Sequence, residues 1–218
     1  MTASAPVITI DGPAASGKSS IAKLVAKKLG YTFVGTGNMY RAFTWAVLNR
    51  GIDPNDASAV VAVLPSIVFE CPVSDGQTHV RLDGHDLSAD QLNSDAVNAA
   101  VSLVARVPEV RTRLVADQRA LIRLGSLVME GRDIGSVVFP DSPYKIYIDA
   151  SEEVRSARRR AQGQADNLAE RDRIDKARKS SPLVIPEGAT IIDNSAITLD
   201  EAVQQVLSAL QSKGLPCL

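Results

Sequence analysis

The chain has 218 residues and a formal net charge of −1, with 45% of its residues hydrophobic and 22% charged. This composition is close to that of an ordinary soluble globular protein. The near-neutral charge argues against a broad attraction to nucleic acid. No apolar run reaches the roughly 18 residues of a membrane helix, and the first residues lack the pattern of a signal peptide. Cys71 and Cys217 match no metal-ligand spacing, so we expect a reduced, cytoplasmic protein with no membrane partner.

The first fifty residues predict strands that alternate with helices. Residues 7–10 are apolar and β-branched and run into a glycine, which is typical of a buried parallel strand. A second short strand is predicted at residues 31–34 and a helix at residues 40–48. Between the strands, Gly30 supplies the stop of a helix. One face of that helix is apolar and consists of Ile21, Leu24, Val25 and Leu29.

The pattern changes between about residues 64 and 95. Short apolar runs at residues 67–70 and 79–82 indicate strands, and Asp83-Gly84 indicates a tight turn after the second run. We therefore predict a small antiparallel insert that is not part of the parallel core.

The remainder returns to alternating helices and strands. Helical patterning runs from residue 97 to 123, with Pro108 placed in the first turn of a new helix. Strands are predicted at residues 127–130, 145–149 and 190–193. This alternation predicts an α/β fold in which helices cover both faces of a parallel sheet.

A glycine-rich loop follows the first strand and matches the pattern G-x-x-x-x-G-K-[ST]. Its glycines let successive backbone N–H groups point at phosphate oxygens, and the following helix directs its positive end to the same place. Lys18 is expected to reach the β- and γ-phosphates of a bound nucleotide, and the Ser19 hydroxyl to bind Mg²⁺. The predicted nucleotide-binding residues are Gly12, Pro13, Ala14, Ala15, Ser16, Gly17, Lys18, Ser19 and Ser20.

This P-loop leaves the acceptor open, because GTPases, motor ATPases and small-molecule kinases share it. The segment Thr36-Gly37-x-x-Tyr40-Arg41 follows a strand and opens a helix, and Thr36 is suited to the N-cap. Tyr40 shares a face with Thr36, and Arg41 beside them could bind a phosphate bidentately. A capped helix with a surface arginine would have the same pattern, so both interpretations remain open here.

A polar segment follows the strand at residues 127–130 and reads Glu130-Gly131-Arg132-Asp133-Ile134-Gly135. The carboxyl ends of parallel strands are where α/β proteins bind ligands. An Arg–Asp pair between glycines at such an end is poorly explained by packing. We therefore predict that Arg132 and Asp133 contact the acceptor.

Arginines are concentrated between residues 155 and 178, in two helical stretches joined by a polar segment. Such a pair of helices could form a lid that closes over the transferring phosphoryl group and excludes water. A ladder of salt bridges along one exposed helix face explains part of the spacing equally well. The residues concerned are Arg155, Arg158, Arg159, Arg171, Asp175 and Arg178.

Taken together, these segments resemble the bacterial-type cytidylate kinases, members of the nucleoside monophosphate kinase family, over residues 8 to about 210. The resemblance implies ATP-dependent phosphorylation of CMP and dCMP to CDP and dCDP. It is carried by Ile10-Asp11-Gly12-Pro13, Thr36-Gly37-x-x-Tyr40-Arg41, Val101-Ser102, Pro108-x-Val110-Arg111, the segment Glu130 to Gly135, Arg171-Asp172-x-x-Asp175-x-x-Arg178 and Pro182-Leu183.

The resemblance also implies a role for individual residues. The cytosine edge would be read by Ser102, Arg111 and Asp133, a complement that suits the donors and acceptors of that base. Arg41 and Arg132 would hold the monophosphate. The ribose would lie against Tyr40, Arg171 and Asp175, near Thr36. The catalytic residues would be Lys18, Arg132, Arg158 and Arg178, with further lid charge from Arg155 and Arg159.

Two departures from the family pattern carry expectations of their own. Gly35 stands where relatives usually have an aspartate, so a local capping contact should be missing. The stretch between Arg160 and Arg171 is shorter than in many relatives, so we expect a small lid. We expect a monomeric, single kinase domain over residues 1–218, with its core at 1–63, 96–154 and 179–218, the acceptor-binding insert at about 64–95 and the lid at about 155–178.

Two alternative functions remain. A kinase of the same fold could act on UMP or another small acceptor. A P-loop regulatory protein could instead use its arginines to bind RNA, but the arginine-rich stretch has no interleaved aromatic residues and the net charge is near zero. The preference between CMP and dCMP stays open at this stage.

Overall fold

The structure, a computed structural model, describes residues 5–161, 172–175, 177–178 and 181–215. The strands are β1 (Val7–Asp11), β2 (Thr32–Gly35), β3 (Phe69–Glu70), β4 (Val73–Ser74), β5 (Gln77–Thr78), β6 (Arg81–Leu82), β7 (His85–Asp86), β8 (Leu127–Gly131), β9 (Tyr144–Asp149) and β10 (Thr190–Asp193). The helices are α1 (Lys18–Leu29), α2 (Thr36–Asn49), α3 (Ala57–Val63), α4 (Ala89–Asn93), α5 (Asp95–Val104), α6 (Pro108–Ala120), α7 (Glu152–Ala161) and α8 (Leu199–Ser212), and residues 172–175 are also helical.

A seven-stranded sheet forms the centre of the molecule, in the order β10-β9-β1-β8-β2-β5-β4. The five strands from β10 to β2 are all parallel to their neighbours. β1 is buried along its whole length between β8 and β9, which explains its unbroken apolar and β-branched sequence. The predicted parallel α/β sheet is confirmed.

The insert contains antiparallel strands as predicted, but the prediction that all of it is separate from the core sheet is wrong. β3, β6 and β7 form a separate three-stranded antiparallel sheet, with Asp83-Gly84 turning β6 into β7. β4 and β5 instead form a hairpin that joins the main sheet, because Phe33 of β2 pairs with Gln77 of β5. The hairpin covers the edge that β2 would otherwise expose.

Helices cover both faces of the sheet. On one face, α1 and α8 pack against the side chains of Ile8 and Ile10 and their neighbours on β9. On the other face, Met129 and the opposite side of β1 pack against α2, α6 and the wide helical turn Ile134–Val138. A third cluster joins α2, α3, α5 and α6 beside the sheet. The carboxyl ends of β1, β2 and β8 therefore open toward one side of the molecule.

Several helix ends follow the predicted local signals. Gly30 ends α1 in the left-handed conformation, with φ of 65°. Pro108 lies in the first turn of α6, where its missing N–H is harmless. Among the residues that the structure describes, no helix combines the length and apolar character needed to cross a membrane.

Candidate active site

A cleft of about 500 Å³ opens at the carboxyl edge of the parallel strands. Its walls are the glycine-rich loop, the start of α2, the facing sides of α5 and α6, and the end of α7. Most of the predicted site residues line it, from both the donor and the acceptor side of the hypothesis. These are Ala14, Ala15, Gly17, Lys18, Ser19, Ser20, Thr36, Tyr40, Arg41, Ser102, Arg111, Arg132, Asp133, Arg158, Asp175 and Arg178.

The glycine-rich loop needs glycine at both ends for steric reasons. Gly12 has φ of 155°, and a Cβ there would lie 2.1 Å from the carbonyl oxygen of Ile148. Gly17 has φ of 92°, and a Cβ would lie 2.5 Å from Nδ2 of Asn194. Gly12, Pro13 and Ser16 belong to the loop but are buried and do not line the cleft. The N-terminus of α1 does line it, through Lys18, Ser19 and Ser20.

Lys18 and Ser19 are linked to a glutamate that the sequence argument did not include among the site residues. Lys18 Nζ donates to the Pro13 carbonyl oxygen at 3.1 Å and lies 3.9 Å from Glu130 Oε2. The Ser19 hydroxyl donates to Glu130 Oε1 at 3.0 Å. Glu130 is buried at the carboxyl end of β8, next to β1. Its position at a strand end was the signal that could have identified it.

The start of α2 differs from the prediction in one contact. Thr36 is the first residue of the helix rather than its N-cap, and its hydroxyl donates to the carbonyl oxygen of Glu130 at 2.8 Å. The N-cap is Gly35, which offers no side-chain hydrogen bond. The hydroxyl thus fastens α2 to β8 instead of capping α2, and the missing capping contact expected at Gly35 is confirmed.

Ser102, Arg111 and Asp133 come from α5, α6 and the loop after β8, and they meet in the cleft. Arg111 and Asp133 form a buried ion pair through Arg111 Nη2 and Asp133 Oδ2. The Arg111 guanidinium also lies 5.1 Å from the ring centre of Tyr40. Burial lowers the pKa of Arg111, but the negative charge of Asp133 raises it, and the net result is a raised pKa. The guanidinium group therefore stays charged. Burial raises the pKa of Tyr40 to about 12, which keeps the phenol neutral.

Asp175 joins two of the predicted phosphate-binding arginines. Arg132 Nε donates to Asp175 Oδ2 at 3.0 Å, and Arg178 Nη2 pairs with Asp175 Oδ1. Burial lowers the pKa of Arg178, with Asp175 acting in the opposite direction. The Asp175–Arg178 pair is therefore present, but both side chains are buried and line the cleft, whereas the salt-bridge ladder was expected on an exposed helix face. Arg171, the first member of the ladder, lies outside the described residues, as do the rest of residues 162–171 and residue 176 of the predicted lid.

α7 contacts the glycine-rich loop directly, which the sequence did not predict. Arg155 Nη1 donates to the carbonyl oxygen of Ala14 at 3.2 Å and pairs with Asp172 at 2.5 Å. Arg158 donates from Nη1 to the Ser16 carbonyl oxygen at 3.0 Å and from Nη2 to the Asn194 carbonyl oxygen at 2.8 Å. These arginines of the predicted lid hold the loop backbone in this structure.

Asp11 connects the loop to the opposite wall of the cleft. Its two carboxylate oxygens accept hydrogen bonds from the backbone N–H groups of Ile134 and Gly135, each at 2.7 Å. Because Asp11 is fully buried, desolvation raises its pKa to about 7 despite these two hydrogen bonds. The nearby charge of Asp133 raises this pKa further, and the charge of Lys18 lowers it.

A glycine-rich loop between the central strand and the first helix, with its lysine and serine beside a buried carboxylate, defines the fold and site of a P-loop phosphotransferase. A solved gluconokinase from Sinorhizobium meliloti 1021 has the same fold, with a TM-score of 0.53 and 15% identity over 96% of this chain and 93% of that one.

The chain belongs to the cytidylate kinase family, whose model matches residues 8–212. The chain is 41% identical to a cytidylate kinase of Pelotomaculum thermopropionicum over an alignment of 220 residues, gaps included, that covers 95% of this chain and 96% of the relative. It is also 41% identical over 219 residues to a cytidylate kinase of Mycolicibacterium paratuberculosis, with the same coverage of each chain.

Proposed function

We propose that the protein transfers the γ-phosphoryl group of ATP to CMP or dCMP and releases ADP with CDP or dCDP. The observation that carries this proposal is the buried Arg111–Asp133 pair, which lies with Ser102 in the cleft that also contains the P-loop. A base reader and a phosphate cradle in one cleft fit a kinase whose acceptor is a nucleotide. Membership of the cytidylate kinase family supports the same acceptor.

The donor nucleotide fits the P-loop side of the cleft. The loop N–H groups and Lys18 would hold the β- and γ-phosphates. Ser19 and Glu130 provide adjacent oxygen ligands of the hard type that Mg²⁺ prefers, so these two residues would hold the ion, Glu130 directly or through water. Bound Mg²⁺ would neutralise charge that develops on the phosphate oxygens. Ile197 and Leu199 give the same end of the cleft an apolar wall suited to the purine ring.

The acceptor fits the opposite side. Cytosine presents an N4 amino donor together with the O2 and N3 acceptors. Asp133 can accept from the amino group, while Arg111 and Ser102 can donate to the acceptors. Arg41 and Arg132 would bind the monophosphate, and Tyr40, Asp175 and Arg171 would contact the sugar, where the tolerance of deoxyribose is set.

The chemical step needs no general base. The acceptor phosphate is ionised near neutral pH, so one of its oxygens can attack the γ-phosphorus in line. A new P–O bond forms as the bond between the γ-phosphorus and the bridging oxygen breaks, and ADP leaves with that electron pair. The protein contributes position and positive charge, through Lys18, Arg132, Arg178 and, on closure, Arg158.

Acceptor specificity tests the proposal. ADP release is measured with ATP and CMP, dCMP, UMP or AMP as the acceptor. Lys18→Ala serves as the blank, because it lacks the positive charge that would bind the transferred phosphoryl group. We expect CMP and dCMP to be the preferred acceptors. Asp133→Ala should lower kcat/KM for CMP by about 100-fold or more. The substitution removes the hydrogen-bond acceptor for the cytosine amino group and leaves the Arg111 charge buried without its partner.

The contrary results are specific. Preference for UMP over CMP would reject cytosine recognition while leaving the kinase intact. Salt-dependent RNA binding without turnover of any monophosphate would favour the regulatory alternative. An equal loss of ATP and CMP affinity in Asp133→Ala would show that this residue supports the fold rather than reading the base.

A further inference from the structure

Arg155 joins three segments that lie far apart in the chain, although the proposed reaction gives it no contact with a substrate. Its Nε donates to the carbonyl oxygen of Ala150 at 3.1 Å, just after β9. Its Nη1 donates to the carbonyl oxygen of Ala14 in the P-loop at 3.2 Å and pairs with Asp172 Oδ2 at 2.5 Å. The side chain is 8% exposed and is not one of those that line the cleft. It is therefore placed to connect segments rather than to bind a phosphate.

The partner of Arg155 belongs to a helical segment that also contacts the acceptor side. Asp172 is the first residue of the helical segment 172–175, and Asp175 is the last. Residues three apart in a helix are neighbours on one side of it. Asp175 accepts from Nε of Arg132 at 3.0 Å and also pairs with Arg178, and both arginines line the cleft. One short segment thus binds the P-loop through its first residue and the acceptor-side arginines through its last.

The contact with Ala14 bears on a backbone N–H group of the P-loop. The Ala14 carbonyl and the Ala15 N–H belong to one planar trans peptide, so they point in opposite directions. A hydrogen bond from Arg155 that fixes the carbonyl therefore also fixes the direction of the N–H. Ala15 lines the cleft, and N–H groups of such a loop bind phosphate oxygens. A phosphate that orders this peptide would in turn order Arg155.

We propose that Asp172 is a positioning residue that, through its pair with Arg155, couples the binding of the two nucleotides. A donor nucleotide on the P-loop orders Arg155 and with it the segment 172–175, so Arg132 and Arg178 are already held in place for the acceptor phosphate. Groups that the first ligand has ordered need not be ordered again by the second, which therefore binds more tightly. This inference rests on the proposed function, because it requires a donor and an acceptor nucleotide in the same cleft.

Equilibrium binding measures this coupling directly. The Kd of CMP is determined by calorimetry with and without a saturating concentration of the β,γ-imido analogue of ATP, which is not turned over. In the wild type we expect the analogue to lower the Kd of CMP by about fivefold or more. Asp172→Asn keeps the shape of the side chain but removes the charge of the pair, so the analogue should change that Kd by less than about twofold. Because coupling is reciprocal, CMP should change the Kd of the analogue by the same factor in each protein.

Asp117→Asn is the matched control, because it makes the same substitution in another arginine–aspartate pair. Asp117 pairs with Arg113 at 2.9 Å on α6, and neither residue lines the cleft. We expect the wild-type coupling from this variant. Arg155→Lys tests the other partner of the proposed link. A lysine keeps the positive charge but cannot bind the two carbonyl oxygens and Asp172 with the planar geometry of a guanidinium group, so the coupling should be lost as in Asp172→Asn.

Each result decides the proposal. Wild-type coupling in Asp172→Asn would overturn it even if both nucleotides bind more weakly, because Asp172 would then support only the fold. A wild type without coupling would overturn it as well. If Asp172→Asn does not fold, wild-type coupling in Arg155→Lys still rejects the proposal. Binding is measured with whichever monophosphate the wild type phosphorylates, so an error in cytosine recognition gives a different result from a failure of the coupling.

Discussion

At the residue scale, Asp11 shows how one buried carboxylate can join the two halves of a cleft. It ends β1 immediately before the P-loop, and its oxygens bind the backbone of the turn that follows Asp133. Gly135 packs closely enough that a Cβ would lie 2.7 Å from the Thr9 hydroxyl and 3.2 Å from Asp11 Oδ2. The position of Asp133 therefore depends on a residue of the donor side.

Asp11 should make stability depend on pH in a defined direction. Its pKa is raised from 3.8 to about 7 in the folded protein, so between these values the folded state binds more protons than the unfolded state. Stability then falls as pH rises from about 4 to about 7 and levels off above. Asp11→Asn lacks this group, so the stability of the wild type relative to the variant should fall by at least about 1 kcal/mol between pH 5 and pH 8.

Urea unfolding of both proteins at the two pH values measures that difference. The comparison cancels the contribution of every group that titrates alike in the two proteins. A relative stability that stays constant, or that rises with pH, would show that the two backbone hydrogen bonds outweigh burial and keep Asp11 ionised throughout.

At the element scale, α7 acts on the P-loop through its arginines. Arg155 and Arg158 donate to backbone carbonyl oxygens of residues 14 and 16. Asn194, at the end of β10, donates to the same Ser16 carbonyl oxygen at 2.7 Å. Two carbonyl groups of the loop are satisfied in this way, and we expect the loop N–H groups to bind the phosphates.

Arg158→Lys should therefore weaken the donor side more than the acceptor side. A lysine cannot bridge the Ser16 and Asn194 carbonyl oxygens with the planar geometry of a guanidinium group. The loss of one charged hydrogen bond costs about 1.5 kcal/mol, which here weakens ATP binding. We therefore expect KM for ATP to rise about tenfold and KM for CMP to change much less. Initial-rate kinetics with each substrate varied in turn measure both constants.

Arg160→Lys is the control from the same helix, because Arg160 is exposed and keeps its charge in the variant. Its kinetics should match the wild type. A larger effect of Arg158→Lys on KM for CMP would place the main role of Arg158 at the acceptor phosphate.

At the scale of the whole molecule, the sheet is stabilised by apolar layers on its two faces, and β10 shows how far one layer extends. Ile192 is 4% exposed and packs under α8 with Ala202, Val203 and Val206. Its neighbour Ile191 points to the opposite face and is 54% exposed. Alternation along a strand thus separates a core position from a surface position within two residues.

These adjacent isoleucines allow a direct test of the packing. Ile192→Ala should destabilise the protein by about 2–5 kcal/mol, since it removes buried methyl groups and leaves a cavity. Ile191→Ala should cost under about 1 kcal/mol, because only strand propensity and partial packing are lost. Chemical denaturation of the two variants measures both values, and similar costs would contradict the assigned direction of the two side chains.

The sequence by itself determined the features that depend on consecutive residues. The glycines of the P-loop, the proline that opens α6 and the apolar strands each have a local physical cause, and all were predicted correctly. The hairpin of β4 and β5 was missed, although Asp75-Gly76 was a local signal for its turn, with φ of 52° and 70°. Its pairing with β2 has no local signal.

Only the tertiary structure decided the contacts between distant segments. Ser19 and Glu130 are 111 residues apart, and Asp11 and Ile134 are 123 residues apart. The sequence likewise placed Arg155 on a helix without indicating that it would join Ala14 to Asp172. A hydrogen bond of this kind depends on distance and angle after the sheet has brought its strand ends together, and no spacing along the chain encodes that geometry.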